Sequence, residues 1–184
     1  IGIAAIRGFQ GDSLPLAPDK VFATLKHMAG HGQPESGTNV GPAAVPERVI
    51  RDVFLWPFEQ AVKRTKVQAI MPSYNEVDGV PSHANRWMLT DVLRNEWGFN
   101  GVIVSDYFAI NEMIERHHIA SDLPEAAQLA LRAGVDVELP DTKAYATLVN
   151  LVNDGKVSMA DVDAAVRRVL RMKFQAGLFE NPYA

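Results

Sequence analysis

The 184-residue chain contains no cysteine, so neither disulfides nor thiolate chemistry can enter its fold or its reactions. It has no apolar run of about 18 residues, the length a helix needs to span a bilayer, and a membrane is not an expected partner. Positive charge is in deficit: 18 Lys and Arg stand against 22 Asp and Glu, for a net charge of −4. Without a basic surplus there is no electrostatic footprint for nucleic acid. Low-complexity linkers are missing, as is any repeat beyond an alternation of strand-like and helix-like segments. A leader segment is missing too. Because the chain opens on Ile1 rather than Met, the expectation is that its native N-terminus lies upstream, which leaves a periplasmic or secreted location and a cytoplasmic one equally open.

What is present is enough apolar material, 47% of residues, for one substantial core. Thr24 to Met28 reads as a short strand running into a glycine-rich loop, Gly30-His31-Gly32-Gln33-Pro34-Glu35-Ser36-Gly37. Pro46 and Glu47 suit the first turn of a helix, because the missing proline N–H is not needed there. That helix should run through Val49, Val53, Phe54 and Phe58, with a kink or break at Pro57. Val67 to Met71 reads as a second strand, followed by an Asp78-Gly79 turn. Thr90 suits the start of a helix carrying Val92, Leu93 and Trp97 and ending at Gly98.

Gly101-Val102-Ile103-Val104-Ser105-Asp106 is a glycine-bounded, β-branched run, the pattern of a strand buried on both faces in a parallel sheet. A helix from about Leu123 to Ala133 follows, opened by Pro124 and closed by Gly134. Val135 to Leu139 alternates strictly, with Val135, Val137 and Leu139 on one face and Asp136 and Glu138 on the other. Tyr145 to Asn153 is helical, stopping at Asp154-Gly155. Ser158 or Met159 opens a last helix whose Val162, Ala165, Val166, Val169, Leu170 and Phe174 keep helical spacing up to Gly177. Strands alternating with helices imply right-handed βα units around a parallel sheet. Roughly four units are visible, about half of an eight-fold barrel, so the segment is either a doubly wound domain in its own right or part of a larger barrel.

Parallel α/β folds keep their chemistry at the carboxyl ends of the strands, and Asp106 stands where the most apolar strand ends. That makes it the first candidate for catalysis. The competing reading is that Ser105 or Asp106 caps a following helix. His27 and His31 are four apart, but the glycines at 30 and 32 work against a helical zinc pair. His117 and His118, adjacent in sequence, would point apart on a regular element. No metal or cofactor is expected.

The ordered motifs Lys26-His27-Met28-Ala29-Gly30-His31-Gly32, Met71-Pro72-Ser73-Tyr74-Asn75-Glu76-Val77-Asp78-Gly79-Val80-Pro81, Ser105-Asp106, Gly134 to Pro140 and Lys173 to Tyr183 resemble glycoside hydrolase family 3, the β-glucosidase and β-xylosidase family. The resemblance spans essentially the whole chain. It implies an α/β fold, a parallel (β/α)8 barrel of the TIM type, of which residues 1–184 would be about the C-terminal half. It also implies a retaining, exo-acting glycosidase that releases terminal β-linked glucose or xylose from an oligosaccharide or aryl glycoside.

In that reading Asp106 is the nucleophile that forms a covalent glycosyl-enzyme, a role an ionised carboxylate suits. Lys26 and His27, which alone would read as a solvated surface pair, become binders of sugar hydroxyls. Tyr74 becomes a phenol that orients the carboxylate, with an aromatic plug at the barrel mouth as its alternative. Tyr107 stands where many members carry tryptophan and still offers a flat face for a sugar. With Phe108-Ala109-Ile110 and His117-His118 it resembles a subset rich in xylosidases, so glucoside and xyloside both stay open. Glu138 is either a substrate binder or a salt-bridge or turn residue, and not the acid. The loop Gln33 to Asn39 lacks the Asp-x-His motif of the N-acetylglucosaminidase branch, which disfavours amino sugars.

A retaining enzyme also needs an acid/base carboxyl about 5 Å from its nucleophile. In these branches a domain after the barrel usually supplies it, so the remainder of the same polypeptide is the expected partner. This segment alone is expected to be inactive. The alternative is a non-catalytic carbohydrate-binding or assembly fragment that needs a partner chain, and a phosphorylase is a further rival.

Overall fold

In a computed structural model, residues 1–182 are described; Tyr183 of the last motif lies outside them. Helix α1 (Gly2–Gln10) precedes strand β1 (Thr24–Met28). Strands β3 (Ala69–Pro72), β6 (Val102–Tyr107) and β7 (Val137–Leu139) follow, and the four form one sheet in the order β1-β3-β6-β7. Every pairing is parallel, with Ala69 opposite Val102, Ile70 opposite Ile103 and Val104 opposite Val137. This is the sheet expected of half a (β/α)8 barrel. Because all strands run the same way, Met28, Pro72, Tyr107 and Leu139 end at one rim, and Asp106 arrives there with them.

Helices pack on the outer side of the sheet. Pro46 precedes α2 (Glu47–Val49), which widens into π-type turns over Ile50–Leu55 before α3 (Trp56–Arg64) begins. Pro57 lies in the first turn of α3, so the expected break is a change of hydrogen-bond register that accommodates the missing N–H. The next helix spans Trp87–Glu96, three residues earlier than Thr90 suggested. Thr90 sits inside it and donates to the Ala133 carbonyl at 2.8 Å, the kind of partner that lets a threonine work mid-helix.

Helix α5 (Leu123–Ala133) starts and stops as its signals indicate: Asp122 accepts from the Glu125 N–H, Pro124 lies in the first turn and Gly134 takes φ 113°. Its buried face is Ala126, Ala127, Ala130, Leu131 and Ala133, small residues that let the helix lie close to the sheet. Helix α6 (Leu148–Asn153) follows a 3-10 turn at Tyr145–Thr147, and α7 (Met159–Gln175) is capped by Ser158, which accepts from the Ala160 N–H. Met28, Ile50, Leu55, Ile70, Met88, Leu89, Leu93, Ile103, Ile110 and Met113 form the fully buried centre between sheet and helices.

Two features differ from the sequence expectation. Helix α4 (Ala109–Glu115) follows β6 almost at once, and its N-cap is Phe108 in a left-handed conformation with no side-chain cap. Neither Ser105 nor Asp106 caps it. In the alternating segment Asp136 and Glu138 are buried along with Val135, while Val137 and Leu139 are only half-buried. Asp136 is paired at 2.8 Å with both Arg94 and Arg168 and accepts from the Ile103 N–H at 2.9 Å. Glu138 accepts from the backbone N–H groups of Ala144 and Tyr145, at 3.1 and 2.7 Å. Both carboxylates are buried because both are fully partnered, the condition for burying charge, and Glu138 takes the turn role left open for it.

A second, three-stranded sheet rises from the rim: β2 (Pro42–Ala43), β4 (Glu76–Val77) and β5 (Val80–Pro81), in the order β2-β4-β5. Strands β4 and β5 are antiparallel, joined by Asp78 and Gly79 at φ 50° and 80°. Two consecutive left-handed residues are what a two-residue hairpin requires, and Asp-Gly supplies them cheaply. The chain leaving this hairpin turns through Ser82–Ala84 and passes beneath the rim.

Candidate active site

The end of β6 delivers Asp106 to the rim with 9% of its surface exposed. One carboxylate oxygen, Oδ1, accepts from the Tyr107 backbone N–H at 2.8 Å and from the Tyr74 phenol at 3.0 Å. The phenol has a single proton and also faces the Tyr107 carbonyl at 2.8 Å, so that proton is shared between two acceptors on consecutive residues. The other oxygen, Oδ2, is buried and has no hydrogen-bond partner among the described residues; His27 Nε2 lies 3.3 Å from it. The carboxylate is thus fixed through one oxygen and unengaged at the other.

His27 comes from the end of β1 and its ring lies against that of His31, with centroids 4.6 Å apart. Burial lowers the His27 pKa, and the opposing pull of Asp106 does not overcome it. Near neutral pH the ring is therefore uncharged, and its approach to Asp106 is a polar contact rather than an ion pair. Lys26 is exposed and forms no ion pair or side-chain hydrogen bond among the described residues. Its ammonium is free to meet a ligand, but the structure does not bring it onto Asp106. Tyr107 is 54% exposed and packs edge-on against the 51% exposed Phe108, their centroids 6.4 Å apart. Of the five residues singled out, four gather: Asp106, Tyr74, Tyr107 and His27.

Sequence reading missed the layer beneath them. His83, 2% exposed, accepts from the Asp106 backbone N–H through Nε2 at 2.9 Å. Burial drives its pKa down to about 3, so the ring stays neutral and keeps an acceptor lone pair at Nε2. Around it Ser73 Oγ lies 3.2 Å from the Ala29 carbonyl and 3.1 Å from Ser82 Oγ, which itself donates to the Asn75 carbonyl at 2.7 Å. The ends of β1, β3 and β5 are tied together there by buried polar groups.

His117 fixes the other side of Tyr74: its Nε2 lies 3.0 Å from the Tyr74 carbonyl and its Nδ1 3.1 Å from Glu76 Oε1. His118 points away, with Nδ1 2.9 Å from the Ile114 carbonyl. The sequence signal for His83 was modest, a histidine one residue after Ser82 at the end of the hairpin. For His117 it was stronger, and was read as a mark of a subset rather than as a contact.

Glu112 on α4 is a further carboxyl close to the site. Burial raises its pKa, and the Asp106 charge adds to the rise. Its Oε2, like Asp106 Oδ2, is buried without a hydrogen-bond partner among the described residues. No cluster of three His, Cys, Asp or Glu that could hold a metal occurs among the described residues. No helix among them is long and apolar enough to cross a membrane.

Comparison with known proteins gives the family of the chain. The family model described as "Glycosyl hydrolase family 3 N terminal domain" matches residues 1–172. A β-xylosidase of Formosa agariphila is 39% identical over 188 residues, an alignment covering 98% of this chain and 26% of that protein. A periplasmic β-glucosidase of Salmonella typhimurium is 35% identical over 184 residues, covering 100% of this chain and 24% of that protein. A solved β-glucosidase structure from Erythrobacter marinus superimposes with a TM-score of 0.95 at 38% identity, covering 99% of this chain and 24% of that one. The chain thus spans about a quarter of the length of the relatives it matches.

Proposed function

The chain belongs to glycosyl hydrolase family 3, and on that footing we propose that it carries the nucleophile of a retaining, exo-acting β-glycosidase specific for terminal glucose or xylose. One observation supports this above the others: Asp106 is anchored through Oδ1 and left unengaged at Oδ2. A carboxylate that attacks a carbon needs one oxygen free while the other is held still.

In this reading Oδ2 bonds to the anomeric carbon as the bond from that carbon to the leaving oxygen breaks. An acid protonates the leaving oxygen, and water then attacks the same carbon and frees Asp106 with overall retention. The negative charge facing the ring also stabilises the oxocarbenium-like transition state. Lys26 and His27 donate to sugar hydroxyls, and Tyr107 gives the ring an apolar face. The acid/base is assigned outside the described residues; Glu138 is spent on backbone N–H groups.

The sheet supports a division of labour within a longer polypeptide. Strands β1 and β7 each present an unpaired edge among the described residues, which folded proteins cover. Residues 1–184 then constitute about the C-terminal half of the barrel domain, and the remaining strands of the same polypeptide complete it. Relatives named as glucosidases and as xylosidases both align along this segment, so the choice of sugar is left to the experiment.

The test is labelling of the full-length protein with dinitrophenyl 2-deoxy-2-fluoro glucoside and with the matching xyloside, followed by peptide mass spectrometry. The activated leaving group needs little acid assistance, so trapping reports on the nucleophile. An adduct on Asp106 is expected, and the faster sugar gives the specificity. An adduct on another carboxylate, or none, overturns the assignment.

A further inference from the structure

We propose that His83 is a positioning residue for the glycosylation step, holding the backbone of Asp106 so that its free oxygen is aimed at the sugar. The inference rests on the nucleophile reading given above. Asp106 is fixed at two points that differ in kind. Its side chain is held by Tyr74 and by the Tyr107 N–H, whereas its main chain is held by the imidazole of His83 at 2.9 Å. Side-chain donors set the torsion of the carboxylate. The main-chain contact, with the Phe108 N–H donating to the Leu139 carbonyl at 3.0 Å, sets where the Cα, and hence the whole group, sits at the rim.

The need for such a contact follows from the sheet. Register between β6 and β7 is irregular between Val104 and Tyr107. There the backbone no longer follows an unbroken ladder, and Leu139 donates instead to Ser105 Oγ at 2.8 Å. At Asp106 a side chain from the turn after β5 supplies the acceptor, and a buried N–H left without one would be costly. His83 is itself held: it is buried and directly follows Ser82, whose hydroxyl contacts Ser73 Oγ and donates to the Asn75 carbonyl. Its pKa of about 3 means that Nε2 stays an acceptor at and around neutral pH. Displacing a reacting atom by about 1 Å can cost about 100-fold in rate, which sets the size of effect expected.

The test compares His83→Leu, His83→Gln and wild type in the full-length protein, reading the rate and saturation constants for trapping by the 2-deoxy-2-fluoro glycosides. Leucine removes the acceptor, whereas the glutamine carbonyl can reach the place of Nε2. The expected result is a fall of about 10- to 100-fold in the maximal trapping rate for leucine, with the saturation constant within about threefold of wild type. Glutamine should recover most of that loss. Equal trapping rates in wild type and His83→Leu overturn the positioning role while leaving Asp106 as nucleophile. A wild type that forms no adduct on Asp106 overturns the nucleophile reading, and this inference with it. If the leucine variant does not fold, His83→Asn takes its place, because its amide stops one bond short of the Asp106 N–H; trapping as fast as with His83→Gln then overturns the proposal.

Discussion

Tyr74 and Asp106 are 32 residues apart in sequence, yet the phenol oxygen of one lies 3.0 Å from Oδ1 of the other. The bond joins the loop after β3 to the end of β6, two neighbouring strands of the parallel sheet. Burial, reinforced by the Asp106 carboxylate, raises the Tyr74 pKa, so the phenol stays a donor well into the alkaline range. Tyr74→Phe removes only that donor. A hydrogen bond to a charged group is worth about 1.5–3 kcal/mol, or about 10- to 150-fold in rate. The expected outcome is a fall of that size in kcat with little change in KM, measured with an aryl glucoside and an aryl xyloside.

Asp106→Asn keeps an oxygen for Tyr74 and for the Tyr107 N–H, so the local fold should survive. What it loses is the charge and the attacking oxygen. Turnover should drop by on the order of 10⁴-fold or more, as when a nucleophile is removed elsewhere. Circular dichroism should match wild type. Near-wild-type turnover would remove Asp106 from the mechanism.

The parallel sheet and the placement of Asp106 were readable because both depend on short-range pattern. Val102 and Ile103, on opposite faces, are fully buried and Val104 is half-buried, and a strand in such a sheet must end at the rim. The boundaries of α5 were readable for the same reason, since Pro124 and Gly134 act within a turn of the helix they bound. His83 was not, because its meaning lies in an N–H 23 residues away. Nor was α4, whose left-handed Phe108 carries no capping side chain. The alternation in Val135 to Leu139 misled for a physical reason: polar residues turn outward only when nothing inside pairs with them, and Arg94 and Arg168 arrive from distant helices.

Asp136 supplies a prediction about stability that is separate from catalysis. Its side chain is fully buried between Arg94 and Arg168, both at 2.8 Å. Removing one partner of a buried ion pair commonly costs about 3–5 kcal/mol, because the remaining charge stays buried. Asp136→Ala leaves two guanidinium groups uncompensated and should lower the thermal midpoint sharply. Trapping on Asp106 per correctly folded molecule should be unchanged. A stable variant that traps slowly would instead connect β7 to the site.

Gly101 gives a test of how tightly β6 is seated. A Cβ there would collide with the Gln68 carbonyl and with the Phe99 ring, and the backbone oxygen cannot move aside as a side chain could. Overpacking of this kind costs about 1–3 kcal/mol. Gly101→Ala should be destabilised by that amount in chemical denaturation, whereas Gly155→Ala, whose added Cβ meets nothing within 4 Å, should lose only what its φ of 70° demands. Equal losses would place the cost in backbone conformation rather than in contact.

The depressed pKa of His83 also makes stability depend on pH, and the sign can be fixed. Unfolded, the ring takes a proton near its ordinary value of 6.5; folded, it refuses one until about pH 3. Between those values the unfolded state binds one proton more, so stability rises with pH and is lost as pH falls from 6.5 towards 3. One proton corresponds to about 1.4 kcal/mol per pH unit, or about 2–3 kcal/mol by pH 4.5. The charged and titratable groups that face the ring are Asp106 from β6, His117 from beyond α4 and His27 from β1. All three remain in His83→Gln, so the difference between the two proteins isolates the one ring. The thermal midpoint of wild type should therefore fall faster than that of His83→Gln between pH 7 and 4.5. Parallel midpoints across that range would mean that the ring is already protonated in the folded protein, and an imidazolium could not accept the Asp106 N–H.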